Sequence, residues 1–227
     1  MSIKLVVFDI AGTTVADEGN INDVFRKAFS NVGIAEVEVA DVDEVMGYRK
    51  KEAIEIIVEK YKPGYENDVE FIETIHRDFN NQMVLHYETY EGLVPLPYAE
   101  RVFRELQNNK VKVALNTGFT RTITTPILKR LGWDAASFID EVICSDEVSE
   151  GRPHPFMIEK LMQKLNISFA DDVAKVGDTK VDIEEGRNAG CGIVVSVTTG
   201  AYTKDQLVKY QPDYIIDSLE FLPSLIL

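Results

Sequence analysis

Residues 4–15 read KLVVFDIAGTTV, and this stretch decides the fold class of the chain. The apolar, β-branched run from Lys4 to Phe8 is typical of a strand that is buried on both faces of a parallel sheet. Asp9 ends the run, and a Gly-Thr-Thr turn follows at residues 12–14. A carboxylate, a flexible turn and two hydroxyls therefore stand at the carboxyl end of a strand, which is where open α/β sheets bind ligands.

The composition limits the classes of partner and the location. The 227 residues have room for one large domain, or for a core domain with a smaller insert. The formal net charge of −14 would repel nucleic acids and anionic membranes, so neither is expected as a partner. No apolar run approaches the ~20 residues that span a bilayer, and the first residues lead into a strand rather than a signal peptide. We therefore expect a cytoplasmic protein, in which Cys144 and Cys191 are buried free thiols.

The hydrophobic pattern changes twice along the chain. Apolar residues recur at helical spacing between residues 16 and 89, and helical and strand-like segments alternate afterwards. Such repeated βα units indicate a parallel, doubly wound sheet. The later strands are expected at Val111–Asn116, Glu141–Cys144, Asp172–Val176, Ile193–Val197 and Tyr214–Ile216. The predicted fold is α/β, with a Rossmann-like core of residues 1–15 and 90–227 and an all-helical insert of residues 16–89.

Two later segments carry groups that suit an anion. Thr117 and Gly118 follow the second predicted strand, where a hydroxyl and a backbone N–H can hold anionic oxygens. Arg152 stands in the proline-flanked loop GRPHP, where it could neutralise a phosphate or pair with Asp9. Taken singly, an ordinary strand-to-helix turn is the better explanation of Thr117 and Gly118, and a solvated surface arginine explains Arg152 equally well.

Two carboxylates follow the predicted strand at residues 172–176. Asp178 comes just after that strand, and Asp182 stands one helical turn further on. If both converge with Asp9, they form an oxygen-rich site of the kind that Mg²⁺ prefers. The local alternative for Asp178 is a helix N-cap.

In their order, spacing and strand-end placement, these four segments resemble the sequence motifs of the haloacid dehalogenase superfamily. The resemblance implies that residues 16–89 form a mobile cap, that Mg²⁺ is the cofactor, and that a small phosphorylated or phosphonate metabolite is the substrate. By this resemblance, Asp9 is the nucleophile that forms an aspartyl-phosphate. Mg²⁺ is bound by Asp9, the Ala11 carbonyl and Asp178, with Asp182 orienting the metal shell; the substrate is contacted by Gly12 and Thr13; its phosphoryl group is held by Thr117 and Gly118; and the cation that lysine usually supplies is Arg152. Related caps sometimes pair into homodimers, so a dimer through the cap is also expected.

One departure from the superfamily pattern points to a branch. Most of its phosphatases have a second aspartate two residues after the nucleophile as general acid and base, and here that position is Ala11. The phosphonatase branch has the same alanine, and the segments DIAGTTV, MGYRK, NTGFTR, GRPHPFM and KVGDTKVDIEEGRNAG resemble it. That branch cleaves a carbon–phosphorus bond after a cap lysine forms a Schiff base with an aldehyde. The resemblance places Lys50 in that role and Met46 at the substrate.

Several alternatives stay open from the sequence. Lys50 could be one charge on an exposed helix start, and the branch has a histidine where this chain has Ala53. The sequence therefore leaves two candidate reactions open: cleavage of a carbon–phosphorus bond and hydrolysis of a phosphate monoester. A metal-free dehalogenase and a phosphate-metabolite binder without turnover are further alternatives.

Overall fold

The computed structural model describes residues 2–16 and 19–227. These residues form a parallel six-stranded sheet with the strand order β3-β2-β1-β4-β5-β6. The strands are β1 (Leu5–Asp9), β2 (Lys112–Thr117), β3 (Glu141–Cys144), β4 (Val173–Gly177), β5 (Ile193–Val197) and β6 (Tyr214–Ile216). Every residue of β1 and β4 is buried, because helices cover both faces of the sheet. The predicted α/β class and doubly wound parallel sheet are confirmed.

The helices fall into two groups. Four lie between the first two strands: α1 (Asn20–Asn31), α2 (Val39–Glu44), α3 (Lys50–Tyr61) and α4 (Val69–Thr89). Six follow: α5 (Ala99–Asn108), α6 (Arg121–Leu131), α7 (Phe156–Leu165), α8 (Lys180–Asn188), α9 (Lys204–Val208) and α10 (Pro223–Ile226). Short 3₁₀ turns occupy Ser145–Glu147, Ala170–Asp172 and Leu219–Phe221. We call the segment from Asn20 to Thr89 the insert.

One continuous apolar cluster joins the insert to one face of the sheet. In the insert, the rings of Phe25 on α1 and Phe79 on α4 meet edge to face at a centroid distance of 4.6 Å. Beside the sheet, Phe103 on α5 contacts Phe8 of β1 at 5.0 Å. The insert is helical as predicted, while the domain boundaries at residues 15–16 and 89–90 stay a prediction. The first connection between the core and the insert, at residues 15–19, includes Asp17 and Glu18, which lie outside the described residues.

Two further expectations can be compared with the structure. Cys144 and Cys191 are both buried and carry free thiols, as predicted. No helix in the described part of the chain has the length and apolar character that a membrane span requires.

Candidate active site

The predicted site residues lie at the point where the direction of strand order reverses. The chain passes from β1 to β2 and β3, then returns to place β4 on the other side of β1. Asp9 ends β1 and Asp178 follows β4, so the two carboxylates flank the crevice between these neighbouring strands. In doubly wound sheets this crevice is the usual place for a ligand.

A small cavity of about 30 Å³ lies at this crevice. Its walls come from the strand ends and from the insert, namely Asp9, Ala11, Ile21, Met46, Gly47, Lys50, Thr117, Gly118, Phe119, Asp178, Thr179 and Ala201. The volume suits about one or two water molecules, so the insert is closed over the strand ends in this structure. Seven predicted site residues line the cavity, whereas Gly12, Thr13, Arg152 and Asp182 lie outside its wall.

Arg152 does not line the cavity, but it forms an ion pair with Asp9. Its guanidinium is fully buried, and Nη2 is 2.7 Å from Oδ1 of Asp9. Nη1 is 2.8 Å from Oδ1 of Asp182. The solvated surface arginine is therefore wrong, and the predicted pairing with Asp9 is confirmed. Burial raises the pKa of Asp9 to about 6, although Arg152 and Lys175 both act to lower it.

A second buried cation, Lys175, was not predicted. It lies on β4 with no exposed surface, and its Nζ is 3.0 Å from Asp182 and 3.2 Å from Glu185. Nζ also donates to Oδ1 of Asn116 at 2.7 Å. A lysine inside an apolar strand was the available signal. Glu185 could have been found one helical turn after Asp182, on the same face of α8.

Asn116 and Glu185 complete this buried network. Asn116 Nδ2 donates to both carboxylate oxygens of Glu185, at 2.8 and 2.9 Å. Glu185 Oε2 lies 3.4 Å from Nε of Arg152. Asn116 on β2 pairs with Asp9 on β1 in the register of the sheet. The strand pairing therefore fixes the Asn116 side-chain amide, which both donates and accepts hydrogen bonds, beside the proposed nucleophile.

Asp182 was predicted to orient a metal shell, and the structure shows protein donors on both of its oxygens. Oδ1 contacts Arg152 and Lys175, while Oδ2 accepts from the Thr179 hydroxyl at 2.6 Å and from the Thr179 N–H at 3.2 Å. Burial would raise the pKa of Asp182, but the two cations outweigh it and the pKa lies below its usual value. These contacts give Asp182 a role in holding the cations. Its predicted support of a metal stays a prediction.

Asp178 has no comparable cation. It accepts from the Thr13 hydroxyl at 3.1 Å and from the Ala201 N–H at 2.7 Å. In the described residues no lysine, arginine or histidine forms an ion pair with it. Burial, and then the charges of Asp9 and Asp182, raise its pKa well above the usual value. A buried carboxylate of this kind is a fitting ligand for a divalent cation.

The backbone turn after β1 is shaped around Asp178. Gly12 has a φ of +82°, a conformation that side-chain-bearing residues rarely adopt. A Cβ at this position would lie 2.8 Å from Oδ2 of Asp178. Gly12 and Thr13 therefore position the carboxylate rather than line the cavity.

The residues around the cavity offer two carboxylates as ligands for Mg²⁺. Within residues 2–16 and 19–227, no group of three or more His, Cys, Asp or Glu side chains is arranged to hold a metal ion. Mg²⁺ commonly uses only one or two carboxylates and fills its shell with water and substrate oxygens. Asp9 and Asp178 supply two carboxylates on one cavity and repel each other, so the residues fit this ion.

Lys50 reaches the cavity from the insert. It is the first residue of α3 and only 4% exposed, so the alternative of an exposed helix start is wrong. Its Nζ lies 5.3 Å from the ring centroid of Phe119 and 5.6 Å from that of Phe25. Lys50 and Phe119 both line the cavity that Asp9 also lines.

The histidines lie outside the Asp9 cavity. His76 on α4 lines a neighbouring cavity of about 590 Å³ together with Lys50. Burial lowers the pKa of His76. His86 stacks on Tyr90 at the end of α4. Ala53 is fully buried in α3, so no imidazole stands one turn after Lys50.

Comparison with known proteins gives the same assignment as the motifs. The haloacid dehalogenase-like hydrolase family matches residues 6–196. A phosphonoacetaldehyde hydrolase of Paraburkholderia phytofirmans is 30% identical over 216 residues, which cover 88% of this chain and 77% of that protein. One from Latilactobacillus sakei is 28% identical over 259 residues, covering 99% and 95% of the two chains.

Solved structures share the fold across the whole chain. The phosphonoacetaldehyde hydrolase-like protein of Oleispira antarctica has a TM-score of 0.85 at 24% identity, covering 100% of this chain and 92% of that chain. A hydrolase from Pseudomonas syringae has a TM-score of 0.83 at 15% identity, covering 99% and 98%. With the family match, the site geometry and these relatives together, the chain is a hydrolase that belongs to the haloacid dehalogenase-like family and, within it, to the phosphonatase-like branch.

Proposed function

We propose that this hydrolase cleaves a small phosphonate through an aspartyl-phosphate on Asp9, with Lys50 forming a Schiff base to an aldehyde group of the substrate. Phosphonoacetaldehyde, which the names of the relatives carry, is the first candidate. One observation carries the proposal: the buried residues Lys50 and Asp9 line the same small cavity. A plain phosphatase has no evident use for a buried amine there.

The core residues prepare the attack on phosphorus. Arg152 holds one oxygen of Asp9 at 2.7 Å, so the other carboxylate oxygen is the one proposed to act as nucleophile. Thr117 and Gly118 line the same cavity and supply a hydroxyl and a backbone N–H to the phosphonyl oxygens. The cation behind Asp9 offsets the repulsion between a carboxylate and an anionic phosphonate.

Lys50 would provide the electron sink. Its neutral amine adds to the aldehyde carbon and expels water, which forms an iminium. Attack of Asp9 on phosphorus then breaks the carbon–phosphorus bond, and the bonding electron pair moves into an enamine. Protonation and hydrolysis release acetaldehyde and Lys50, and water cleaves the aspartyl-phosphate to inorganic phosphate. Because the leaving carbon departs as an enamine, Ala11 need not be an acid.

Mg²⁺ would be held by Asp9, Asp178 and the Ala11 carbonyl. When bound, the ion supplies positive charge that stabilises the phosphoryl oxygens in the transition state. Asp178 is the main support for this assignment, because it is buried and lacks a cationic partner in the described residues.

Phosphate monoester hydrolysis is the second candidate. Ala53 favours it, because proton transfers at Lys50 would lack the histidine that the branch has one turn later. Ala11 opposes it, because an alkoxide leaving group needs an acid worth about 10²–10⁴ in rate. Family membership leaves little support for a binder without turnover.

The deciding experiment measures phosphate release with Mg²⁺ from phosphonoacetaldehyde and from a panel of small phosphate esters. Borohydride added with phosphonoacetaldehyde should leave a reduced two-carbon adduct on Lys50, located by peptide mass spectrometry. Lys51 is the internal control, because its Nζ pairs with Glu73 at 2.5 Å on the insert surface. Lys50→Arg should abolish cleavage, since a guanidinium keeps its charge and forms no imine. Ester hydrolysis without an adduct would replace the first candidate by the second.

The remaining expectations are proposals of the same kind. We propose a cytoplasmic location and no nucleic-acid partner, for which the net charge of −14 is the support. A homodimer through the insert stays a prediction, tested by light scattering on the 25.6 kDa chain.

A further inference from the structure

We propose that Arg49 and Glu52 form a latch that fastens the insert to the loop carrying Arg152, so that one contact positions both Lys50 and Arg152. The structural part of this proposal stands on contacts alone. Its kinetic part rests on the proposed function of Lys50.

The latch consists of reciprocal hydrogen bonds. Arg49 donates from Nη1 to the Ser149 carbonyl at 2.8 Å and from Nη2 to the Val148 carbonyl at 3.1 Å. In the opposite direction, the Gly151 N–H donates to Oε1 of Glu52 at 3.4 Å. A planar guanidinium suits two neighbouring carbonyls, because its donors form a rigid fork. The insert therefore grips both the acceptors and the donor of one short loop.

The surfaces approach so closely that a glycine is needed. A Cβ on Gly151 would lie 2.6 Å from Cβ of Arg49, a distance that real side chains do not show. A similar contact lies on the next core loop, where a Cβ on Gly118 would lie 2.4 Å from the Tyr48 carbonyl oxygen. Residues 47–52 of the insert are thus fitted against two loops of the core at once.

The latch connects two groups on opposite sides of the reaction centre. Arg49 and Glu52 flank Lys50 at the start of α3, and the gripped residues 148–151 lead directly into the buried Arg152. Closure that forms the latch therefore delivers the Lys50 amine to the cavity and fixes the loop before Arg152. Opening would release both together. Arg49 and Glu52 act through these neighbours and are positioning residues.

The structural test is hydrogen exchange of the peptide that spans residues 146–153. We expect Arg49→Met and Glu52→Leu to speed exchange of these amides, with inorganic phosphate and Mg²⁺ present as the probe. Gly151→Ala should do the same without changing any charge, because its methyl group pushes against Arg49. Arg77→Met, which removes an exposed arginine elsewhere on the insert, is the control and should leave the exchange unchanged.

The kinetic test separates positioning from charge. Misplacement of a reacting group by about 1 Å costs up to about 10²-fold in rate, so Arg49→Met should lower kcat at least about tenfold. Arg49→Lys keeps the positive charge beside Lys50 but can reach one carbonyl, so it should recover only part of the loss. Thermal unfolding of each variant verifies that it is folded.

The outcomes distinguish the two proposals. Unchanged exchange of residues 146–153 in Arg49→Met and Gly151→Ala would overturn the latch. Full rescue by Arg49→Lys would also overturn it, since charge alone would then explain Arg49. If wild-type protein does not cleave phosphonoacetaldehyde, the proposed function fails while the exchange experiment still decides the latch.

Discussion

At the scale of single residues, the site is defined by an imbalance of buried charge. In the described part of the chain, four carboxylates lie buried around the strand ends (Asp9, Asp178, Asp182 and Glu185), against the two cations Arg152 and Lys175. Arg152 contacts Asp9, Asp182 and Glu185, and Lys175 contacts Asp182 and Glu185, so the deficit of positive charge is greatest at Asp178, which pairs with neither cation. One divalent ion bound at the cavity would offset this deficit of positive charge. We therefore expect metal binding to affect the stability of the fold as well as turnover.

Asp9→Asn should eliminate turnover and change the pH dependence of stability. The pKa of Asp9 is raised from 3.8 to about 6, so between these values the folded state binds a proton that the unfolded state has lost. The contribution of Asp9 to stability therefore falls as the pH rises through this window. Without Mg²⁺, we expect the variant to gain stability over wild type from pH 4 to pH 6, measured by urea unfolding. Turnover above a few per cent of the wild-type rate would remove Asp9 as nucleophile.

Asp178 and Asp182 should respond differently to alanine substitution. Asp178→Ala removes a proposed metal ligand, so the Mg²⁺ concentration needed for half-maximal activity should rise while stability changes little or increases. Asp182→Ala removes one of the two carboxylates that Arg152 and Lys175 share, which leaves buried positive charge less compensated and typically costs about 3–5 kcal/mol of unfolding free energy. The measurements are a Mg²⁺ titration and urea unfolding. Activity of wild type in excess chelator would contradict the metal assignment.

At the scale of elements, two helix starts supply both structure and site. Helix α8 begins with a capping box in which Thr179 and Asp182 exchange hydrogen bonds, and the same Asp182 carboxylate binds the buried cations. Helix α3 begins at Lys50, beside the latch residue Arg49. Each of these helix starts therefore combines a local role in the helix with contacts to distant residues.

The seating of α5 on the sheet gives a prediction that is independent of catalysis. Phe103 packs edge to face on Phe8 and also contacts the rings of Trp133 and Phe138. Phe103→Ala should lower the unfolding free energy by about 3–5 kcal/mol, because the cavity can collapse only in part. Asn108→Ala, at the exposed end of the same helix, is the control. A loss below about 1 kcal/mol in urea unfolding would show that the aromatic cluster is not a main support of the sheet.

At the scale of the whole molecule, the small size of the cavity requires motion of the insert. A volume of about 30 Å³ is too small for a phosphonate substrate unless the insert moves away from the strand ends. The second connection between the insert and the core, at residues 87–92, is held by Arg130. Arg130 donates to the carbonyls of Tyr87 at 3.0 Å and Tyr90 at 2.7 Å. We expect this connection and the one at residues 15–19 to act as hinges, although Asp17 and Glu18 lie outside the described residues.

A disulfide across the latch should arrest this cycle. In Arg49→Cys/Gly151→Cys the two Cβ atoms would lie 2.6 Å apart, and a small separation brings them to the ~3.8 Å of a disulfide. Oxidation should stop turnover, and a reductant should restore it to the level of the reduced double variant. Both forms of the double variant lack Arg49, so the difference in turnover between them reports only the effect of the disulfide. Equal turnover of the oxidised and reduced forms would exclude opening as part of the cycle.

The native thiols should not interfere and can report on folding. Burial raises the pKa of both Cys144 and Cys191 to about 12, so neither is a thiolate at pH 8 in the folded protein. We expect iodoacetamide to leave both unmodified in buffer and to label both in urea, as measured by intact mass. Rapid labelling of the native protein would mean that the core opens locally around β3 or the end of α8.

The sequence by itself determined the parallel sheet, the helical insert and the placement of Asp9, Thr117 and Asp178 at strand ends. These features follow from local patterns, because an apolar strand that stops at a polar residue presents that residue at the edge of the sheet where ligands bind. It also marked Arg152 and Lys50, but left each with an ordinary surface alternative.

Only the tertiary structure decided those alternatives. Whether a charged side chain is buried depends on partners far away in the chain, such as Asp9 for Arg152 or the rings of Phe25 and Phe119 for Lys50. Lys175, Glu185 and Asn116 likewise gain their roles by meeting across β2, β4 and α8. No spacing rule announces such meetings, since the electrostatic energy that makes a buried charge tolerable comes from groups that only the fold brings together.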